Sequence, residues 1–248
     1  MELQIKNLVK NYKEKEVLRG AEYAFSEGKI YSILGRNGAG KTTLFNCMTK
    51  DVDFKSGDMT LLENGVAREL TFDDIGLVSA SPMLPEFLTG YEYVKFFMGL
   101  HMEAAKEQGA RRTIDDYFDL VRIEEQDRHR LIKEYSFGMK NKLQLLSCLI
   151  KNPKIIMLDE PLSSFDIIVS HDIKELLLSM KENHIILMST HIMQLARDVS
   201  DEIVILKQGV LTKAEMQDES EAQFEARILT LLQDEDMVIE NVEKKKER

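Results

Sequence analysis

One nine-residue stretch, Gly35-Arg36-Asn37-Gly38-Ala39-Gly40-Lys41-Thr42-Thr43, restricts what this chain can fold into more than any other. It satisfies the pattern G-x-x-x-x-G-K-[ST], and its flanks suit it. Ile30-Tyr31-Ser32-Ile33-Leu34 precedes it as a short, apolar, β-prone run, and Leu44-Phe45-Asn46-Cys47-Met48 follows as the first turns of a helix. Strand, glycine-rich loop and helix N-terminus are the setting in which such a loop cradles phosphate. The glycines let the backbone curl so that consecutive N–H groups converge on phosphate oxygens. The helix start adds unpaired donors and the positive end of a dipole. Lys41 is then placed to reach the β- and γ-phosphates, and the Thr42 hydroxyl to ligate Mg2+. The stretch is a P-loop, and a nucleoside triphosphate site is the expectation that follows.

At 248 residues the chain has enough material for one domain with a sub-domain. No stretch approaches the run of about twenty apolar residues needed to cross a bilayer. Residues 1–6 lack the basic start and apolar block of a signal peptide. A soluble, intracellular chain is expected, serving a membrane only through a partner. Cys47 and Cys148 sit among apolar neighbours in expected helices, as reduced core residues do, and the five histidines are scattered without ligand spacing. No structural metal is expected. The net charge of −10 is uneven: residues 214–248 carry eleven acidic and five basic side chains, which is −6 of the total. The remainder is close to neutral and offers no electrostatic footprint for nucleic acid.

In chain order, residues 3–9 alternate loosely and read as a strand, residues 10–13 as a polar turn, and residues 17–25 as a returning strand. Tyr12 therefore lies on a hairpin near the phosphate loop, placed either to pack locally or to stack on an adenine face. Residues 55–58 read as a turn, 59–62 as a short strand and 75–79 as another. From residue 88 to about 152 the spacing turns helical, with Val94, Phe97 and Met98 and then Tyr117, Leu120 and Val121 recurring on one face. Ser136 is a good N-cap for a helix whose apolar side is Leu143, Leu145, Leu146, Leu149 and Ile150. Its N-terminus is either a capped structural feature or a second phosphate contact.

Ile155-Ile156-Met157-Leu158 is a continuous apolar run of the kind found in a central parallel strand. It delivers Asp159 and Glu160 to its C-terminal end, where ligands of open α/β sheets gather. Two adjacent carboxylates there have distinct uses in ATP hydrolysis: Asp159 for the Mg2+ shell, Glu160 to polarise the attacking water. Residues 184–189 form another buried strand and bring His191 to the same edge as a candidate γ-phosphate contact. Residues 203–206 make a last strand, and Phe224, Ile228, Leu231 and Leu232 mark one amphipathic helix before a charged, solvated end.

Taken in order, these pieces resemble the nucleotide-binding subunit of an ATP-binding cassette (ABC) transporter over residues 2–212. The resemblance rests on the P-loop, Tyr135-Ser136-Phe137-Gly138-Met139-Lys140, Leu158-Asp159-Glu160-Pro161, Ser163-Ser164-Phe165-Asp166 and Ser189-Thr190-His191, in that order and spacing. It implies an α/β fold: a P-loop NTPase (RecA-like) core with an N-terminal antiparallel β subdomain and an α-helical insertion at about residues 86–152. Residues 213–248 then form an acidic C-terminal extension with one helix and a charged tail. The implied site holds ATP and Mg2+. Gly35, Asn37, Gly38, Ala39, Gly40, Lys41, Thr42 and Thr43 hold the phosphates, and Tyr12 stacks on adenine. Thr42 and Asp159 serve the metal, and Glu160, His191 and Lys41 are the catalytic set. Ser136 and Gly138 belong to the signature segment and Asp166 to the D-loop.

The resemblance further implies head-to-tail pairing with a second ABC subunit, identical or not, so that each ATP lies between one P-loop and the other signature helix. Multi-span membrane permease subunits would dock beside the helical insertion, against residues 84–94 with Phe87, Leu88 and Tyr91 as contacts. The chain would then sit peripherally on the cytoplasmic face of the cell membrane. The signature form and the short single cassette look most like bacterial export systems for antibiotics, peptides or lipids. Two positions depart from the family. Ala80 stands where a glutamine or glutamate should contact Mg2+ and water, and Phe137 stands where glycine is usual. They keep open a hydrolysis-impaired regulatory subunit. A soluble non-transport ABC ATPase fits less well, since only 94 residues separate Lys41 from Ser136 and no internal repeat is present.

Overall fold

The computed structural model describes residues 1–101, 112–161, 167–215 and 219–233, with the backbone alone for 167–173. Ser163-Ser164-Phe165-Asp166 and the charged end beyond Gln233 lie outside the described residues. Among the described residues ten strands make two sheets. The first is antiparallel, in the order β2 (Lys15–Ser26), β1 (Glu2–Tyr12), β4 (Ser56–Glu63), β5 (Val66–Glu69). The second has the order β10 (Val210–Ala214), β9 (Glu202–Lys207), β3 (Lys29–Leu34), β8 (Ile185–Thr190), β7 (Ile155–Asp159), β6 (Ile75–Val78). All its pairings are parallel except β9 with β10.

The apolar runs are explained by burial on both faces of this second sheet. Ile155, Met157, Ile185 and Leu187 face a core shared with the antiparallel sheet and with α1 (Lys41–Met48). Ile156, Leu158, Ile186 and Met188 face the opposite way, onto Leu145 and Cys148 of the long helix Phe137–Lys151 and onto Leu177. A continuous run is what alternate residues on two buried faces require. Both cysteines are buried and free, and burial pushes their thiols up to about 11 for Cys47 and about 12 for Cys148.

A helical layer follows β6. It comprises α2 (Gly90–Leu100), α3 (Ile114–Leu120), the single turn α4 (Glu125–Arg128) and α5 (Phe137–Lys151). Thr89 and Thr113 each accept a backbone N–H at the third position of their helices, while Glu92 and Asp116 bond back to the cap. Val94, Tyr117, Phe118, Ile132, Leu143 and Leu146 fill its core. The helix α5 thus has two apolar faces, one for this layer and one for the sheet. After it come α6 (Ile167–Met180), α7 (Met193–Val199) and α8 (Glu221–Gln233). Phe224 and Ile228 of α8 bury against Ala196, Ile203 and Ile205, so this helix packs on the same sheet. Among the described residues no helix is long and apolar enough to cross a membrane.

Several local expectations need correcting. Residues 56–58 belong to β4 and not to a turn, because Lys6 pairs with Asp58 and Val9 with Ser56 across the sheet. Strands β5 and β10 carry no strong apolar pattern and were not anticipated; they are edges, with one side paired and one side open. β10 also runs to Ala214, past residue 212. Leu231 is exposed and does not share the buried face of Phe224 and Ile228.

Gly90 opens α2 against the buried Tyr135 ring, which bonds through its hydroxyl to the Asp127 carbonyl at 2.9 Å. A Cβ at position 90 would collide with the Tyr135 hydroxyl and lie 2.9 Å from Cζ. Gly90→Ala is expected to cost about 1–3 kcal/mol in denaturant unfolding, as overpacking does. A smaller cost of Gly90→Ala in a Tyr135→Phe background, where the colliding oxygen is gone although the ring carbon stays, checks the cause.

Candidate nucleotide site

Because β3, β7 and β8 are parallel and in register, their C-terminal residues arrive together: Leu34 opposite Thr190, and Asp159 opposite Ser189. Gly35 begins the P-loop where β3 ends. Its close packing is literal, since a Cβ there would sit 2.7 Å from the Leu206 carbonyl oxygen and 3.2 Å from Ala39 Cβ. Gly38 and Gly40 take φ of +82° and +109°, in the left-handed region. Gly40 caps α1 with no side-chain acceptor, and the first turn of α1 holds no acidic residue. The orphan N–H groups of that turn have no acidic side chain to compete for them, which is the condition for anion binding.

The charged side chains follow from the same convergence. Lys41 is only 7% exposed; its ammonium donates to the Gly35 carbonyl at 2.8 Å and lies 3.6 Å from Glu160 Oε1. A buried ammonium needs such partners, and an oligophosphate offers stronger ones. The other Glu160 oxygen, Oε2, is 2.8 Å from His191 Nδ1. Glu160 itself has φ +50°, which turns its carboxylate out of the strand direction and toward both. Thr190 Oγ1 accepts the Ile192 N–H at 3.1 Å, a local turn that sets the backbone around His191.

The Thr42 hydroxyl donates to Asp159 Oδ2 at 2.9 Å. A hydroxyl from the helix start and a buried carboxylate from the central strand therefore converge. Two hard oxygen donors beside a phosphate cradle suit Mg2+, which takes few protein ligands and keeps water and phosphate oxygens. The donor set fits the expected ion, and none of these groups suits a soft-metal site. When bound, Mg2+ neutralises phosphate charge.

The remaining expected residues are distributed around this cluster. Tyr12 ends β1, paired with Lys15, and its ring is 44% exposed with the Lys10 ammonium 4.6 Å from its centroid. Lys10 thus covers part of the ring, and the rest of the residue is open to solvent. Ser136 caps α5, accepting the Met139 N–H at 3.2 Å, and Phe137 beside it is 44% exposed. Asp166 lies outside the described residues. Ala80 follows Ser79, whose hydroxyl is engaged with Ser81 N and O, each at 3.2 Å. Sequence reasoning missed Ser189, a fully buried hydroxyl hydrogen-bonded to Asp159 Oδ1 and to the Glu160 N–H.

A separate cavity of about 380 Å³ opens between α2, α5 and β6, lined by Leu77, Met83, Leu84, Tyr93 and Phe97 among others. Met83 is 90% exposed at its rim and Phe87 79% exposed nearby. Leu88 is half-buried, and Tyr91 stacks on His129 with ring centroids 4.8 Å apart.

The family model described as ABC transporter matches residues 18–163. SrtF, a lantibiotic transport ATP-binding protein of Streptococcus pyogenes, is 30% identical over 220 residues, spanning 88% of this chain and 93% of that protein. A solved ATP-binding subunit of an ABC transporter superposes with a TM-score of 0.79 at 22% identity, covering 92% of this chain and all of the other. A dimeric ATP-binding cassette in a post-hydrolysis state with ADP and Pi superposes at 0.73 with 21% identity, covering 88% of this chain. The structural likenesses establish the cassette fold, and the family match covers more than half the chain. This chain belongs to the ABC transporter family, as an ATP-binding subunit whose ATPase activity is coupled to transport.

Proposed function

We propose that the chain binds MgATP at the P-loop and hydrolyses it between two cassettes to drive export through multi-span membrane subunits. The observation that carries this reading is the meeting of Lys41, Glu160 and His191 within 3.6 Å steps at one sheet edge, with Thr42 and Asp159 beside them. In it, Gly35, Asn37, Gly38, Ala39, Gly40 and Thr43 line the phosphates, and Lys41 donates to them. Thr42 and Asp159 hold Mg2+. Glu160 takes the proton of the attacking water, and His191 orients Glu160. Tyr12 offers its ring to adenine.

Residues 1–212 act as the cassette and residues 213–248 as its extension. Ser136 and Gly138, at the start of α5, serve a second cassette's nucleotide, together with Asp166. The pairing is head to tail, with an identical or related chain. The apolar groove beside Met83, Leu84 and Phe87 receives the membrane subunits on the cytoplasmic face. Tyr91, held by His129, contributes less to that contact than Phe87. Transport is the role in the name of the lantibiotic relative, and export is the direction we propose for this chain.

A second reading is kept by two residues. Ala80 puts a methyl group where a polar contact to metal and water is expected, and Phe137 puts an exposed ring at the start of α5. In that reading the chain binds ATP as a regulatory subunit and turns over little. ATP binding without turnover in the assembled complex would select it over the first.

Glu160→Gln is expected to keep ATP affinity near that of the wild type and to lower turnover by about a hundredfold or more, as loss of a general base does. It should also accumulate an ATP-dependent dimer in size-exclusion chromatography. Equal turnover in wild type and variant removes Glu160 from the reaction. Met83→Glu with Phe87→Glu places one charge on the groove rim and a second on the exposed segment that follows it. This pair should abolish recovery of a multi-span membrane protein from detergent-solubilised membranes while ATP binding stays unchanged. Undiminished recovery would place the docking surface elsewhere.

A further inference from the structure

We infer that Ser189 is a positioning residue that sets both acidic groups of the site, Asp159 and Glu160, through one hydroxyl. This rests on the metal and catalytic reading above. Ser189 is the fifth residue of β8, in register with Asp159 of β7, and it is fully buried. Its hydroxyl donates to Asp159 Oδ1. The same oxygen accepts the Glu160 N–H at 3.2 Å, a proton shared with the Ser189 carbonyl at 3.1 Å. A serine hydroxyl has one proton and two lone pairs, and an ionised carboxylate can only accept. The donation to Asp159 is therefore fixed in direction, leaving the lone pairs for Glu160.

Asp159 consequently takes a hydroxyl on each oxygen, Thr42 on Oδ2 at 2.9 Å and Ser189 on Oδ1. Thr42 belongs to the P-loop helix, at the phosphate cradle, whereas Ser189 is held inside a strand buried at every position. The rigid partner holds the carboxylate plane while the other oxygen turns to the metal shell. On the Glu160 side, the bond restrains a residue with φ +50°, a conformation that non-glycine residues hold only when their surroundings enforce it. Removing the hydroxyl frees the Asp159 carboxylate to rotate and loosens the turn that aims Glu160 at Lys41 and His191. Partners that orient a metal ligand in this way are typically worth about 10–100-fold in metal affinity.

The test is a Mg2+ titration of fluorescent ATP-analogue binding to the full chain, with wild type, Ser189→Ala and Ser189→Thr compared. Thermal unfolding of each is followed in parallel. Ser189→Ala is expected to raise the half-saturating Mg2+ concentration about tenfold. Its nucleotide affinity in EDTA should stay that of the wild type, because the P-loop cradle is untouched. Ser189→Thr, which keeps the hydroxyl, should titrate near the wild type. A wild type that responds to Mg2+ while Ser189→Ala titrates identically overturns this inference alone. So does a folded threonine variant that titrates like the alanine one. A wild type indifferent to Mg2+ overturns the metal reading of Thr42 and Asp159, and this inference with it.

Discussion

The rest of the structure depends on the burial of β3, β7 and β8 on both faces. Strands with apolar side chains on both sides need a layer on each, and parallel neighbours need long crossovers that supply those layers. Polar side chains have almost no place along such strands, so they gather where the strands stop. Parallel pairing then puts all the stopping points at one edge, which is why Gly35, Asp159, Glu160 and His191 meet although the chain separates them widely. The exceptions along the strands are informative. Ser32 pairs with Ser200, and Ser189 with Asp159, so each buried hydroxyl has a partner supplied by a neighbouring segment.

The helix α5 carries a second constraint. One face packs in the helical layer through Leu143, Leu146 and Ile150, and the other packs on the sheet through Leu145 and Cys148. Its last turn is tied to the sheet by Lys151, which donates to the Ile75 carbonyl at 2.7 Å and the Phe72 carbonyl at 3.1 Å. Its first turn presents Ser136 and Phe137. The groove lined by Met83 and Phe97 therefore shares walls with the helix that begins at Ser136 and with the strand that leads to Ala80. Anything seated in that groove bears on rigid elements that end at the expected ATP-facing surfaces. Such spatial continuity is the physical precondition for coupling.

Residues with a local physical signature were legible in the sequence. The P-loop needs only its own letters and flanks, and Asp159 and Glu160 stand out because four apolar residues precede them. The β5 and β10 edges were not legible, because an edge strand needs no apolar alternation when one side is solvated. The polar stretch at residues 56–58 reads as a turn until β1 is known to lie alongside it. Ser189 was hidden for a related reason. Within an apolar run a lone serine reads as strand filler, and its meaning comes from β7, a strand about thirty residues away in sequence and adjacent only after folding. Tyr12 stands between packing and stacking in the sequence, and in the fold it is part exposed with the Lys10 ammonium 4.6 Å from its ring centroid.

The arrangement of Lys41 adds a last step. Its ammonium is held by a neutral carbonyl at 2.8 Å and by Glu160 at 3.6 Å, a looser contact than a direct ion-pair hydrogen bond. Glu160 has a tighter hold on His191, at 2.8 Å. On the proposed reading, Lys41 exchanges its weak grip on Glu160 for phosphate oxygens when nucleotide enters. Glu160 then keeps His191 and its backbone bonds to Ser189, and has one oxygen released toward the water. On that reading, binding and activation are linked through a single lysine that cannot serve both partners equally well. Glu160 is hydrogen-bonded to His191 at 2.8 Å and to Ser189 at 3.1 and 3.2 Å, whereas Lys41 stands off at 3.6 Å, so the lysine contact is the one most readily given up.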